Sequence, residues 1–132
     1  MLHHISFGVS DIEKAAAFYD SAFAPLGYVR VWEDLNPGEP EQAIGYGPPG
    51  DGDKFAIKLR GREARAPGSG FHLAFAAPNR DAVASFYKAA LAHGGTDNGT
   101  PGLRPHYGPN YFAAFVIDPD GHHIEVVTKA DG

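Results

Sequence analysis

The chain contains no cysteine, which excludes disulfides, zinc ribbons, thiol nucleophiles and iron–sulfur clusters. It has no excess of positive charge either: 11 Lys and Arg stand against 16 Asp and Glu, a formal net charge of −5. No basic cluster is present, so no nucleic-acid partner is expected, because phosphate neutralisation needs concentrated Lys and Arg. Apolar runs are far shorter than a membrane span, and Met1-Leu2-His3-His4 does not read as a signal peptide. No membrane partner and a cytoplasmic location are therefore predicted. A Gly-rich phosphate loop and a serine nucleophile elbow are also missing. Glycine (17) and proline (11) are plentiful among the 132 residues, which points to short strands joined by many turns. The length suits one domain, residues 1–132, able to bury a core without covalent staples.

An internal repeat organises the sequence. A shift of 68 residues places His4 on His72, Phe7 on Phe75, Phe18-Tyr19 on Phe86-Tyr87, Ala22 on Ala90 and Gly27 on Gly95. Repeats of this kind mark one supersecondary unit used twice. Ser10-Asp11-Ile12-Glu13 reads as a capping box, with Ser10 as N-cap and Glu13 at the third helical position. Ile12, Ala16, Tyr19 and Phe23 follow at helical spacing, and Pro25 with Gly27 ends that helix. In the second unit Asn79 or Asp81 caps, and Gly94-Gly95 supplies a left-handed stop. Strands are predicted over 4–9, 29–33, 42–46, 55–60, 72–77, 111–117 and 122–128, with 96–110 a loop. Asp118-Pro119-Asp120-Gly121 is a turn with glycine where positive φ is needed. The fold class is α+β: two tandem βαβββ modules, about residues 1–61 and 69–130, joined by polar residues 62–69.

Alternation assigns the side chains to faces. Ile5, Phe7 and Val9 point towards the helix; His4, Ser6 and Gly8 point the other way. Leu73, Phe75 and Ala77 repeat the first set, and His72, Ala74 and Ala76 the second. A histidine among very small residues is an unusual core and a natural cavity wall. Ile124 and Val126 face the helices, so Glu125 faces the cavity with His123 and Val127. A carboxylate on a half-buried strand is expensive without a compensating partner. Any one of these histidines alone reads as an ordinary structural side chain. Together His4, His72 and Glu125 form a two-histidine, one-carboxylate set suited to a divalent ion, Fe, Mn, Zn, Ni or Co, with open positions for substrate.

These residues carry a family resemblance. Residues 2–11 with Phe18-Tyr19, the segment Phe71-His72-Leu73-Ala74-Phe75, and the closing Phe115-Val116-Ile117-Asp118-Pro119-Asp120-Gly121-His122-His123-Ile124-Glu125 resemble the vicinal oxygen chelate superfamily of glyoxalases, bleomycin-resistance proteins, thiol transferases and extradiol dioxygenases. The resemblance spans nearly the whole chain. It implies paired βαβββ units curling as a mixed sheet around a metal cleft, with His4, His72 and Glu125 at ligand positions. It also implies a homodimer, often with each site built from two chains. The function so implied is a metal-dependent enzyme that chelates neighbouring oxygens of a small molecule, with lyase, thiol-transferase or dioxygenase chemistry. The alternative is a metal-free, drug-sequestering dimer. Glyoxalase I enzymes typically carry a fourth ligand on the last strand of the first module. Here either Ala56 or Ile57 falls opposite Glu125, so a typical glyoxalase I is not expected.

A second constellation runs from Gly102 to Tyr111. Arg104 can clamp a carboxylate or phosphate, and His106 or Tyr107 can transfer protons. The plainer alternative is a rigid loop that shapes the rim. Tyr111, Trp32 and Tyr46 are further candidates to line the cleft, against the simpler reading of the last two as core aromatics. His122 is expected at the surface and His123 behind Glu125.

Overall fold

The computed structural model describes residues 1–131. In chain order its main elements are β1 (Ile5–Val9), α1 (Ile12–Phe23), β2 (Val29–Asp34), β3 (Ala43–Gly47), β4 (Phe55–Leu59), β5 (Leu73–Ala76), α2 (Arg80–Ala92), β6 (Thr96–Asp97), β7 (Gly102–Leu103), β8 (Phe112–Ile117) and β9 (His123–Thr128). The strands form two mixed sheets, ordered β1-β4-β3-β2 and β5-β9-β8-β6, with β7 also on β8. In each sheet the strand preceding the helix pairs parallel with the last strand, and the other pairs are antiparallel. Among the described residues no helix is long and apolar enough to cross a membrane.

Each helix starts where the sequence supplies a side-chain acceptor. For α1 that acceptor is Asp11, whose carboxylate takes the N–H groups of Glu13 and Lys14. Ser10, the expected cap, instead gives its backbone N–H to Asp120 at 3.0 Å. This tie to the last hairpin shifts the cap by one residue. Asn79 caps α2 by accepting from Ala82 N–H. The segment 96–110, expected as a loop, contributes two short edge pairings to β8, at Thr96–Asp97 and Gly102–Leu103. Two-residue strands carry too little alternation to be read from sequence.

The helices pack on each other and cover one face of both sheets. Phe23, with no exposed surface, lies at the junction. Its ring is 5.6 Å from Phe55 of the first sheet, 4.9 Å from Phe75 of the second and 6.4 Å from Phe86 of α2. Burying such a side chain contributes roughly 1.5–3 kcal/mol, and here one ring serves both halves of the core.

A second junction is polar. The Asp118 carboxylate is fully buried and accepts the Tyr19 hydroxyl at 2.7 Å and His122 Nδ1 at 2.9 Å. The backbone N–H groups of Asp120 and His122 donate to it as well. The His122 ring stacks on Phe7 at 4.0 Å with planes 7° apart. His122 is therefore not a surface residue: it is 1% exposed. Its first partner, Phe7, is 115 positions distant in sequence, beyond the reach of any local pattern.

Candidate functional site

The faces turned away from the helices are where the two sheets differ. Paired positions set a row across each. In the second sheet the row is Ala74, Glu125 and Phe115. In the first it is Ser6, Ala56, Gly45 and Trp32. Ser6 is the repeat partner of Ala74, so the counterpart of Glu125 is Ala56 rather than Ile57. An alanine offers no ligand atom. In its row Trp32 lies so close over Gly45 that a Cβ there would meet the indole nitrogen at 2.3 Å. The first row is thus filled by an aromatic lid over minimal side chains, and the second carries a charge.

That charge is well supported. Glu125 is 2% exposed, yet both its oxygens have partners. Oε1 is 2.8 Å from Nε2 of His72, and Oε2 accepts the Tyr111 hydroxyl at 2.5 Å. His72 itself is about half exposed, at 51% of its side chain. The buried carboxylate and the accessible imidazole therefore join the interior to the open face. The Tyr111 phenol is pushed up to about 12, by burial and then by its bond to the Glu125 carboxylate; it stays protonated and donates throughout the neutral range.

The loop before β8 completes the patch. Arg104 N–H bonds the Tyr111 carbonyl at 2.7 Å, which fixes both residues. The Arg104 guanidinium lies over the Phe115 ring at 5.4 Å, and Phe115 is 6.2 Å from the His72 ring. Tyr107 packs on Tyr111 at 5.2 Å and His106 on Tyr107 at 4.1 Å. Gly99, at φ 147°, lets the loop pass close by, since a Cβ there would sit 2.9 Å from Phe115. Six residues expected from sequence, Arg104, His106, Tyr107, Tyr111, His72 and Glu125, thus form one connected cluster. Phe115 is part of it and was not foreseen, because an aromatic in an apolar strand gives no signal of its face.

Three expected residues lie elsewhere. Tyr46 is on the helix side, packed on Phe23 at 5.2 Å, with its hydroxyl on Asp20 at 2.8 Å. It is a core aromatic and lines no cleft. Trp32 is on the open face, but of the other sheet. His4 precedes β1, so strand alternation does not govern it; its Nδ1 meets Nδ1 of His3 at 2.8 Å, and both rings are exposed. It lines a shallow hollow with Tyr28, Lys54 and Leu73 to Phe75. His123, expected behind Glu125, is exposed. Among the described residues no three His, Asp or Glu side chains converge on one ion position.

The profile of the Glyoxalase/Bleomycin resistance protein/Dioxygenase superfamily matches residues 1–126. The chain belongs to this superfamily. A glyoxalase/bleomycin resistance protein from Albidiferax ferrireducens is 28% identical, with a TM-score of 0.73 over 96% of this chain and 97% of that one. A glyoxalase-related enzyme from Fulvimarina pelagi is 25% identical, with a TM-score of 0.69 over 96% of this chain and 87% of that one. A glyoxalase I mutant from Zea mays shares the fold at 19% identity and a TM-score of 0.72, over 96% of this chain and 46% of that one. No curated protein sequence matches. Superfamily members typically bind divalent metals, and the His72–Glu125 pair can be tested against that. Two bonds of about 2.0–2.2 Å at a right angle put their donor atoms roughly 2.8–3.1 Å apart. Nε2 and Oε1, at 2.8 Å, already have that separation.

A recess of about 750 Å3 lies beside α1 and β3 and is lined by none of these residues. In a single chain the candidate site is an open sheet face.

Proposed function

We propose that this protein is a metal-dependent enzyme acting on a small molecule with two neighbouring oxygens, working in the cytoplasm as a homodimer. The observation that carries the reading is the His72–Glu125 pair, set at the spacing of adjacent ligands on an otherwise open face. His72 and Glu125 of one chain would hold the ion, and His4 would come from a second copy, since it lies apart from the pair within one chain. The ion supplies Lewis acidity to the chelated oxygens. Arg104, steadied over Phe115, binds an anionic group of the substrate. His106 and Tyr107, on an exposed turn, move protons at the rim. A second copy laid over the face excludes water from the chelate. With Ala56 opposite Glu125, the fourth protein ligand of a typical glyoxalase I is missing, which favours three-ligand lyase, thiol-transferase or dioxygenase chemistry.

The test is metal content followed by complementation. Wild-type protein purified without chelator should carry a stoichiometric divalent ion. His4→Ala and Glu125→Gln should each lose it. Subunits of the two variants mixed at equal amounts and allowed to exchange should regain about a quarter of the sites, because half the dimers pair an intact His4 with an intact Glu125. No ion in the wild type sinks the enzyme reading. The exposed indole of Trp32, 39% accessible on its open face, then favours the metal-free binding dimer.

A further inference from the structure

The recess of about 750 Å3 beside α1 and β3 lies on the helix side of the first sheet, whereas the candidate site lies on a face turned away from the helices. One wall is the first half of α1, and the other is the loop 35–42 that joins β2 to β3. Ala16 and Ala17 give the helix wall its smallest side chains, so nothing bridges the gap to the loop. The floor is apolar: Ile12 and Ile44 reach it from the core, and Leu35 and Leu59 line it half-buried. Pockets that hold a drug-sized molecule run from roughly 300 to 1,000 Å3. The rim carries charge of one sign. Asp11 takes both cap N–H groups on Oδ1, so its Oδ2 meets no donor among the described residues. The exposed Glu13 carboxylate, two residues on, meets none either. The one cation lining the recess is already committed. Arg30 gives Nε and Nη2 to Asp20 at 3.0 and 2.8 Å and Nη1 to Glu33 at 2.7 Å. The wider surroundings agree. Residues 10–42 hold seven Asp and Glu against two Lys and Arg, and the rest of the chain holds nine of each, so the whole net charge of −5 sits on the segment that walls the recess.

We propose that this recess binds an apolar small molecule bearing one ammonium group, its body on Ile44, Leu35 and Leu59 and its charge between Asp11 and Glu13. Burial of the apolar body supplies the affinity. The carboxylates select the sign of the ligand: an exposed ion pair adds little by itself, but a cleft lined by one sign of charge raises the local concentration of the opposite sign. An anion finds no partner here, because Arg30 is taken by Asp20 and Glu33. Lys14 lines a separate hollow towards α2. The proposal does not depend on the metal reading. The two places share no residue and lie on opposite sides of the sheets, so both can be occupied at once.

The experiment titrates the wild-type protein with three matched probes, phenylbutylamine, phenylbutanol and phenylbutyrate, followed by amide NMR. The amine should bind with a Kd of about 1 mM, as expected for so small a ligand. It should shift the amides of Ala16, Ala17, Gly38 and Ile44 and leave the emission of Trp32, on the opposite side of the sheet, unchanged. The alcohol should bind about fivefold more weakly, and the carboxylate not measurably. Asp11→Asn combined with Glu13→Gln removes both charges and keeps a good helix cap; it should bring the amine down to the affinity of the alcohol. Added salt should narrow the difference between amine and alcohol in the wild type. Equal binding of amine and alcohol by the wild type overturns the proposal, and so does a preference for the amine that survives in the double variant. Tighter binding of the carboxylate overturns it, as does the absence of saturable binding by all three probes. Shifts centred on Gly45 and Ala74, or a changed Trp32 emission, place the amine on the open faces and overturn it. Shifts of the recess amides on concentrating the protein alone give the recess to a second copy of the chain, which overturns it as well.

Discussion

Replacing Tyr19 with phenylalanine removes one oxygen atom from the interior and leaves the packing volume otherwise unchanged. Its consequence is electrostatic. The Asp118 carboxylate, fully shielded from water, has four donors: the Tyr19 hydroxyl at 2.7 Å, His122 Nδ1 at 2.9 Å, and the backbone N–H groups of Asp120 and His122 at 2.9 and 2.8 Å. In Tyr19→Phe, Oδ2 keeps only the imidazole. A hydrogen bond to a buried charge contributes about 1.5–3 kcal/mol, so a loss of about 2 kcal/mol is expected. For a chain of this size that lowers Tm by roughly 6–10 °C. Tyr46→Phe is the internal control. Its hydroxyl also meets a carboxylate, but Asp20 is 42% exposed and keeps Arg30 as a partner, so the loss should stay below about 1 kcal/mol. Urea denaturation of the three proteins measures both differences, with unchanged m-values expected. A cost for Tyr19→Phe no greater than for Tyr46→Phe would refute the reasoning. A pH signature accompanies it. Burial, then the nearby Asp118 charge, raises the Tyr19 phenol well above its ordinary value. The stabilisation is therefore complete below about pH 10, the unfolded value, and is lost as pH rises above it. Tyr19→Phe should flatten that alkaline decline.

Other substitutions probe separate features. Gly45→Ala should push aside the Trp32 indole, the only tryptophan; a red-shifted emission with a stability change within about 1 kcal/mol is expected, because an exposed side chain moves cheaply. Asn79→Ala removes the α2 cap and should destabilise by about 1 kcal/mol, read by thermal unfolding. Phe23→Ala should cost about 3–5 kcal/mol in a single transition, since the ring packs on both sheets; two separate transitions would show that the halves are not coupled through it. In an alkaline absorbance titration the phenolate attributable to Tyr111, found by difference with Tyr111→Phe, should form at about 12.

The repeat was legible because it is written in large side chains and glycines at a constant offset. It placed both helices and the paired first strands without knowledge of the tertiary structure. Alternation also put Glu125 on the face turned away from the helices, whereas it was applied to neither Trp32 nor Phe115. What failed did so for identifiable reasons. Ser10 looked like the cap because its N–H partner, Asp120, is 110 residues away. His122 looked exposed because its burial depends on Phe7, the Tyr19–Asp118 bond and a turn folding together. Tyr46 was one residue from the face it was offered for. The set His4, His72 and Glu125 was read from one chain, whereas strand alternation stops at Ile5 and leaves His4 to be placed by whatever packs beside it.

The Tyr19–Asp118–His122 junction has a consequence for the order in which the chain acquires its structure. A ribosome delivers α1 long before the last hairpin, and domains generally form from the N-terminus onward. When α1 first forms, the Tyr19 hydroxyl and the face of Phe7 lack partners that lie 99 and 115 residues further on. The first βαβββ unit therefore cannot complete its own interior during synthesis and must wait, partly hydrated, for residues 118–122. Contacts so distant in sequence place the folding rate in the slower range of small mixed domains. A released chain ending at residue 117 should accordingly leave α1 open to protease, whereas the full chain protects it.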